Sequence, residues 1–269
     1  MDPQLEDTIS SCLDNADSNR IHIAVCDQSE QYNENVAKMV KYYNFMDWRS
    51  ARGPCFARHL IQNLIEDEQW YLQIDSHTKF EVGWDTILLG QMSNLPPNSI
   101  ITGYPRDVKD LGVKSSHTHV LRVDKNNLWQ YDTHFNTQIS VSDTPNIHQG
   151  YLLSAGNLFS STDFCRDVPY DPHFYFEGEE PSLALRAYCM GYDIYHVPNN
   201  PIFHDYRKNI RPLHWEKHQD WGRMRDRSMQ RYSDIIHGKI KGVYGIGWKR
   251  SLNDYKNFSG IDYINKTIV

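Results

Sequence analysis

The segment Trp70-Tyr71-Leu72-Gln73-Ile74-Asp75-Ser76-His77 decides how this chain is read. Tyr71, Leu72 and Ile74 suit a short buried strand, and the polar trio after Ile74 stops it. In an extended segment residues i and i+2 point to the same side. Asp75 and His77 therefore aim at one point just past the strand's carboxyl end, which is where open α/β sheets bind ligands. One carboxylate oxygen and one imidazole at that spacing form half a site for a divalent ion such as Mn²⁺. A solvated strand end would carry the same residues, so the tripeptide has to be weighed with its surroundings.

Just upstream, Gly53-Pro54 marks a turn into a helix that Ala57, Leu60, Ile61 and Leu64 continue on one face. Arg52 and Arg58 flank its N-terminus, a place suited to phosphate, although two solvated arginines would look the same. Further upstream, Leu5, Ile9 and Leu13 predict a helix over 5–16, and the near-continuous apolar run from Arg20 to Asp27 predicts a covered strand. Residues 36–46 read as a second helix or an irregular aromatic segment. Downstream, a helix through Ile87, Leu88 and Met92 ends at Pro96-Pro97, and residues 99–104 form another buried strand. The β-α-β-α-β alternation predicts a parallel sheet.

Residues 106–150 change character. Thr118–Val123 and Leu128–Asp132 read as an inserted antiparallel ribbon around a turn at 125–127, followed by a polar loop. His117, His119, His134 and His148 fall here without metal-ligand spacing and read as ordinary histidines. Tyr151 to Phe159 reads as a strand with a small-residue turn at Ser154-Ala155-Gly156, where a ligand can approach the backbone. Glu177, Glu179 and Glu180 surround Gly178 ahead of a helix that Gly191 ends. The helix dipole alone could account for them, so a catalytic or sugar-binding role requires that they face the same cavity as Asp75. A strand over 192–198 follows, then His204 just past another strand end, then a helix over 212–237.

The chain has 269 residues, with 17 Tyr and 7 Trp, too aromatic for a disordered segment. A net charge of −6 argues against a nucleic-acid partner. The five cysteines form no CxxC pair and are odd in number, which predicts a reducing, cytoplasmic setting. No apolar run approaches 18 residues, so no membrane span is expected, and the acidic start lacks the features of a signal peptide.

Taken in order, several segments form a familiar set: Arg52-Gly53-Pro54 with Ala57-Arg58, Gln73 to His77, Gly83-Trp84-Asp85, Ser154-Ala155-Gly156, Pro169 to Pro172, Phe176 to Glu180, His204-Asp205-Tyr206, and Gly247 through Asp262. Together they resemble the cytosolic GlcNAc-transferring glycosyltransferases that modify hydroxyproline in a ubiquitin-ligase adaptor. The resemblance covers nearly the whole chain and rests on order and spacing, since no single motif is specific. It implies an α/β fold of GT-A type, a Rossmann-like, mostly parallel sheet flanked by helices. This would be one domain over 1–269, with a nucleotide-binding half at about 1–105 and an acceptor-side half at about 106–269.

The resemblance also implies a retaining transferase that moves a sugar, GlcNAc in most members, from a UDP-sugar to a hydroxyl of a polypeptide or glycan. The cofactor would be a divalent metal, Mn²⁺ or alternatively Mg²⁺. Asp75 and His77 would be the Asp-x-His form of the metal motif, with His204 completing it. Asp75 would also face the donor's ribose. Arg52 and Arg58 match arginines beside the nucleotide, and Ala155 and Gly156 would floor the donor-sugar pocket. Glu179 and Glu180 match the acidic pair near the transferred sugar, with their division of labour open. Trp84 is expected to be a structural wedge.

Family members begin with a strand that is not matched here, so an N-terminally truncated, non-catalytic sugar-nucleotide-binding or interaction protein is the competing expectation. A metal-dependent hydrolase is weaker, because the chain has no HExxH-like helix.

Overall fold

A computed structural model of the chain describes residues 2–124, 138–207 and 220–268. Helix α1 (Leu5–Asp14) leads to strand β1 (Ala24–Ser29), helix α2 (Glu34–Met39), strand β2 (Tyr42–Asp47) and helix α3 (Pro54–Gln62). Strands β3 (Trp70–Ile74) and β4 (Thr78–Phe80) precede helix α4 (Trp84–Met92), then β5 (Ser99–Thr102), β6 (Arg106–Asp107), β7 (Thr118–Val123), β8 (Gln138–Asp143), β9 (His148–Gly150) and β10 (Asn157–Ser161). Helices α5 (Thr162–Asp167) and α6 (Glu179–Cys189), strands β11 (Asp193–His196) and β12 (Ile202–His204), and helices α7 (Trp221–Ile236) and α8 (Leu252–Ser259) complete the main framework. A short pair, β13 (Ile261–Asp262) with β14 (Thr267–Ile268), closes it.

The central sheet runs in the order β3-β10-β5-β11-β9. It is α/β in character, but its pairing is mixed where a mostly parallel sheet was expected. β10 lies antiparallel between β3 and β5, β11 is parallel to β5, and β9 is antiparallel to β11. The reason is non-local: β10 enters between two strands that precede it by more than fifty residues, and nothing in its own composition reports that direction. β1 and β2 form a separate parallel pair.

Both faces of the central sheet are covered, which explains its unbroken apolar strands. On one face Ile100 and Leu158 pack with Leu121, Leu152, Phe164, Leu183 and Ile194. Their sequence neighbours Ile101 and Phe159 turn to the other face and pack with Phe80, Trp84, Leu88 and Ile202. Trp84 is the expected wedge: it is buried, and its indole N–H donates to the Cys12 carbonyl over 2.9 Å.

Three local expectations are corrected. The aromatic part of 36–46 is strand β2, because Tyr42 to Asp47 pairs residue for residue with β1 and only Glu34–Met39 is helical. The polar segment read as a loop after the ribbon contains β8, whose Ile139 and Val141 alternate with polar residues and which pairs with β7 along its whole length. The strand expected at 151–159 begins only at Asn157, after the small-residue turn. The ribbon strand expected at 128–132 and the part of the expected 212–237 helix that covers 212–219 lie outside the described residues.

All five cysteines are free, and Cys12, Cys55, Cys165 and Cys189 are buried. Burial pushes the Cys12 and Cys189 thiols up to about 12, helped by Asp85 and Asp254 respectively, and the half-buried Cys26 up to about 11, helped by Asp27. No helix among the described residues is long and apolar enough to cross a membrane.

Candidate active site

The end of β3 is held by a tight turn. The Thr78 hydroxyl donates to the Asp75 carbonyl over 2.9 Å. From outside, the Thr8 hydroxyl of α1 donates to the Ser76 carbonyl and accepts the Thr78 N–H, each at 2.9 Å. β4 then pairs antiparallel with β12 so that Thr78 stands opposite His204. The Asp205 N–H donates to the His77 carbonyl at 3.0 Å. This register sets the His77 and His204 rings edge to face, with centroids 4.4 Å apart.

Asp75, His77 and His204 thus converge, each offering one ligand atom within 4.8 Å of the others'. His204 Nε2 lies 3.3 Å from Asp75 Oδ2. His204 Nδ1 is buried without a hydrogen-bond partner among the described residues. Polar atoms seldom stay buried unpaired without a reason. Gly156 leaves room at the carboxylate, for a Cβ there would sit 2.8 Å from Asp75 Oδ2. One carboxylate and two imidazoles in a cradle a methyl would fill are a donor set suited to a first-row divalent ion. Burial works against the Asp75 charge, but His204, Arg58 and His77 outweigh it and hold the carboxyl below the usual range.

Behind this cluster lies an ion-pair relay that is buried at its inner end. α3 begins at Gly53, whose φ of +86° and close approach to Tyr175 admit no side chain, and Pro54 occupies the first helical turn. One turn on, the Arg58 guanidinium donates through Nη2 to Asp75 Oδ1 at 2.9 Å and through Nη1 to Glu179 Oε1. Glu179 opens α6 behind Gly178, with the helix dipole favouring its charge. Its neighbour Glu180 accepts the Ala155 N–H at 2.8 Å and the Gln138 side-chain N–H at 2.6 Å. Burial pushes Glu180 up to about 8, against the pull of the Ala155 N–H. The Gln73 amide donates to the Tyr170 hydroxyl over 2.7 Å and to the Ala155 carbonyl, so β3 also holds the small-residue turn.

A sequence model described as Glycosyltransferase (GlcNAc) matches residues 10–265. The chain belongs to this glycosyltransferase family. Among solved structures it is similar to GalNAc-T7 crystallised with UDP, GalNAc and Mn²⁺, with a TM-score of 0.60 and 13% identity over 95% of this chain and 51% of that one. That likeness shows a shared GT-A-type fold, and the chain spans about half the length of that structure. A second match, HddC from Yersinia pseudotuberculosis, has a TM-score of 0.36 and 16% identity over 66% of this chain and 70% of that one, too low a similarity to bear on the fold. No curated protein matches the sequence.

Of the residues singled out from the family resemblance, Asp75, His77 and His204 come together directly. Gly156 faces the Asp75 carboxylate where a Cβ would crowd it, Ala155 holds Glu180, and Arg58 joins Asp75 to Glu179. Arg52 stands apart: it is exposed, its backbone N–H donates to the Gln28 side chain at 3.0 Å, and its guanidinium lies 4.0 Å from the Phe56 ring centroid. Sequence reading did not find Asp2, whose carboxylate bonds His77 from 75 residues away. It also passed over Gln73, although an amide inside an apolar strand was a signal that something buried needed a donor.

Proposed function

We propose that the chain transfers a sugar, GlcNAc in the first instance, from a UDP-sugar to a hydroxyl acceptor with retention of configuration, in a reaction that depends on a divalent metal. The observation that carries this reading is the convergence of Asp75, His77 and His204 at two strand ends in a member of this family. The GalNAc-T7 structure that shares its fold holds UDP, GalNAc and Mn²⁺, which supports a UDP-sugar and a divalent ion here. Hydroxyproline on a protein is the acceptor to try first, with other polypeptide or glycan hydroxyls after it. The nucleotide would sit on residues 1–105 and the acceptor on 106–269, within one domain. A cytoplasmic setting, expected from the cysteine pattern, is part of the same reading.

In this reading Asp75, His77 and His204 hold the ion, Mn²⁺ or Mg²⁺. When bound, it would offset the negative charge that builds on the departing diphosphate. Arg58 keeps Asp75 ionised and oriented. Ala155 and Gly156 floor the sugar pocket, where backbone can approach closely. Arg52, exposed at the start of α3, is the nucleotide-side cation. Glu179, committed to Arg58, supports the site. Glu180, beside the pocket floor and held by the Ala155 N–H, is the carboxyl placed to serve the transferred sugar as a hydrogen-bond partner.

Titration of UDP and UDP-GlcNAc with Mn²⁺, repeated with EDTA, tests the donor site. Binding that requires the metal and is lost in His204→Ala is the expected result. Equal binding with and without metal would remove the proposal. A hydroxyproline-peptide transfer assay then tests the acceptor, with Glu180→Gln expected to lower turnover more than donor affinity.

A further inference from the structure

We propose that Asp2 is a positioning residue for His77: its carboxylate fixes the imidazole so that Nε2 presents its lone pair to the metal. The inference rests on the metal site proposed for Asp75, His77 and His204. His77 Nδ1 lies 2.7 Å from Asp2 Oδ2, and both side chains are nearly buried, 13% and 12% exposed. A carboxylate can only accept there, so Nδ1 carries a proton, and in the neutral ring Nε2 is the nitrogen left with a free lone pair. That is the state a ligating imidazole must be in, and an outer carboxylate makes such a nitrogen a better donor.

The carboxylate is itself clamped. Oδ2 also accepts the Ser76 hydroxyl at 2.9 Å, and Oδ1 accepts the Gln4 N–H at 2.9 Å. Gln4 reaches past the site, its side-chain amide donating to Asp205 Oδ2 at 2.7 Å, next to His204. Residues 2–4 thus tie the strand end that carries His77 to the one that carries His204. A plainer account makes Asp2 only a turn residue that accepts the Gln4 N–H at the start of α1. That account explains Oδ1, and the Ser76 hydroxyl shares Oδ2, but neither accounts for the His77 ring nitrogen held at 2.7 Å.

The two accounts separate by metal affinity. Mn²⁺ binding by the full chain, with UDP present, would be read from the loss of the free-ion EPR signal for the wild type, Asp2→Ala, Asp2→Asn and His77→Ala. Thermal melts without metal would run alongside. Asp2→Ala is expected to bind Mn²⁺ roughly ten- to a hundredfold more weakly. Asp2→Asn, which keeps an acceptor and drops the charge, should fall between it and the wild type. If Asp2→Ala does not fold, Asp2→Asn decides alone. Wild-type affinity in the Asp2 variants, with binding lost in His77→Ala, would overturn the role of Asp2 and leave the metal site standing. A wild type that binds no Mn²⁺ would end both.

Discussion

Gly156 lies so close to the Asp75 carboxylate that a single added methyl would sit 2.8 Å from Oδ2. Asp75 cannot simply swing away, because Arg58 holds its other oxygen at 2.9 Å. Gly156→Ala should therefore tilt the carboxylate without disturbing a backbone that tolerates alanine. Mn²⁺-dependent UDP binding is expected to weaken roughly tenfold or more, with little change in melting temperature. Calorimetric titration beside a thermal melt checks both halves. Undiminished binding would show that Asp75 does not need its present orientation.

Arg58 bridges a buried carboxylate and a partly exposed one; the Glu179 side chain is 5% exposed and that of Asp75 32%. Removing the cation from such a pair costs about 3–5 kcal/mol, since a buried charge is left behind. Arg58→Met is expected near the lower end of that range because Asp75 can draw on solvent. Adding Glu179→Gln to it should restore part of the loss, since contacting residues are not additive. Urea denaturation of both single variants and the double variant measures the coupling. Simple additivity would mean that the pair does not act as a unit.

Gly53→Ala faces two penalties at the start of α3. The φ of +86° with ψ near 175° is a region that side chains avoid, and the new Cβ would meet the Tyr175 carbonyl oxygen at 2.3 Å. Strain and overpacking together predict a loss of about 2–5 kcal/mol. A denaturant midpoint that barely moves would contradict the backbone conformation at Gly53.

His196 gives stability a pH dependence of known sign. It is fully buried, its Nδ1–H donates to the Thr102 carbonyl at 2.9 Å, and burial pushes it down to about 4, against the pull of that bond. Between its unfolded value of 6.5 and about 4 the unfolded chain binds the extra proton. This contribution is thus present above pH 6.5 and lost as pH falls toward 4, at most about 3–4 kcal/mol at roughly 1.4 per unit. Glu180, raised to about 8, works the opposite way, gaining stability as pH falls from 8 toward 4.5. The His196 effect is accordingly the difference in slope between the wild type and His196→Gln in urea melts from pH 7 to 4. Parallel slopes would mean that His196 is not held neutral.

How much of this was legible follows from how local each signal is. Asp75 and His77 could be read from a strand end and a two-residue spacing, and His204 from a second strand end. The start of α3 could be read from Gly53-Pro54, and that of α6 from Gly178 and its glutamates. What joins them could not be read. Nothing near Arg58 marks it as a buried cation, because its partner Glu179 lies 121 residues on. The direction of β10 depends on which strands flank it. β2 was missed because Val36 and Met39 set a helical spacing that the aromatic run inherited. β8 was missed although its alternation was present, because its polar residues weighed more than its period.

The buried, free cysteines have a practical consequence. The thiolate is the reactive form, and a thiol near 11, as at Cys26, is ionised about once in ten thousand at neutral pH by the ordinary titration relation. A cysteine introduced at an exposed position such as Val82, 74% open to solvent, would outcompete every native thiol for a maleimide dye. Single-site fluorescent labelling is thus within reach without stripping the chain of its own cysteines.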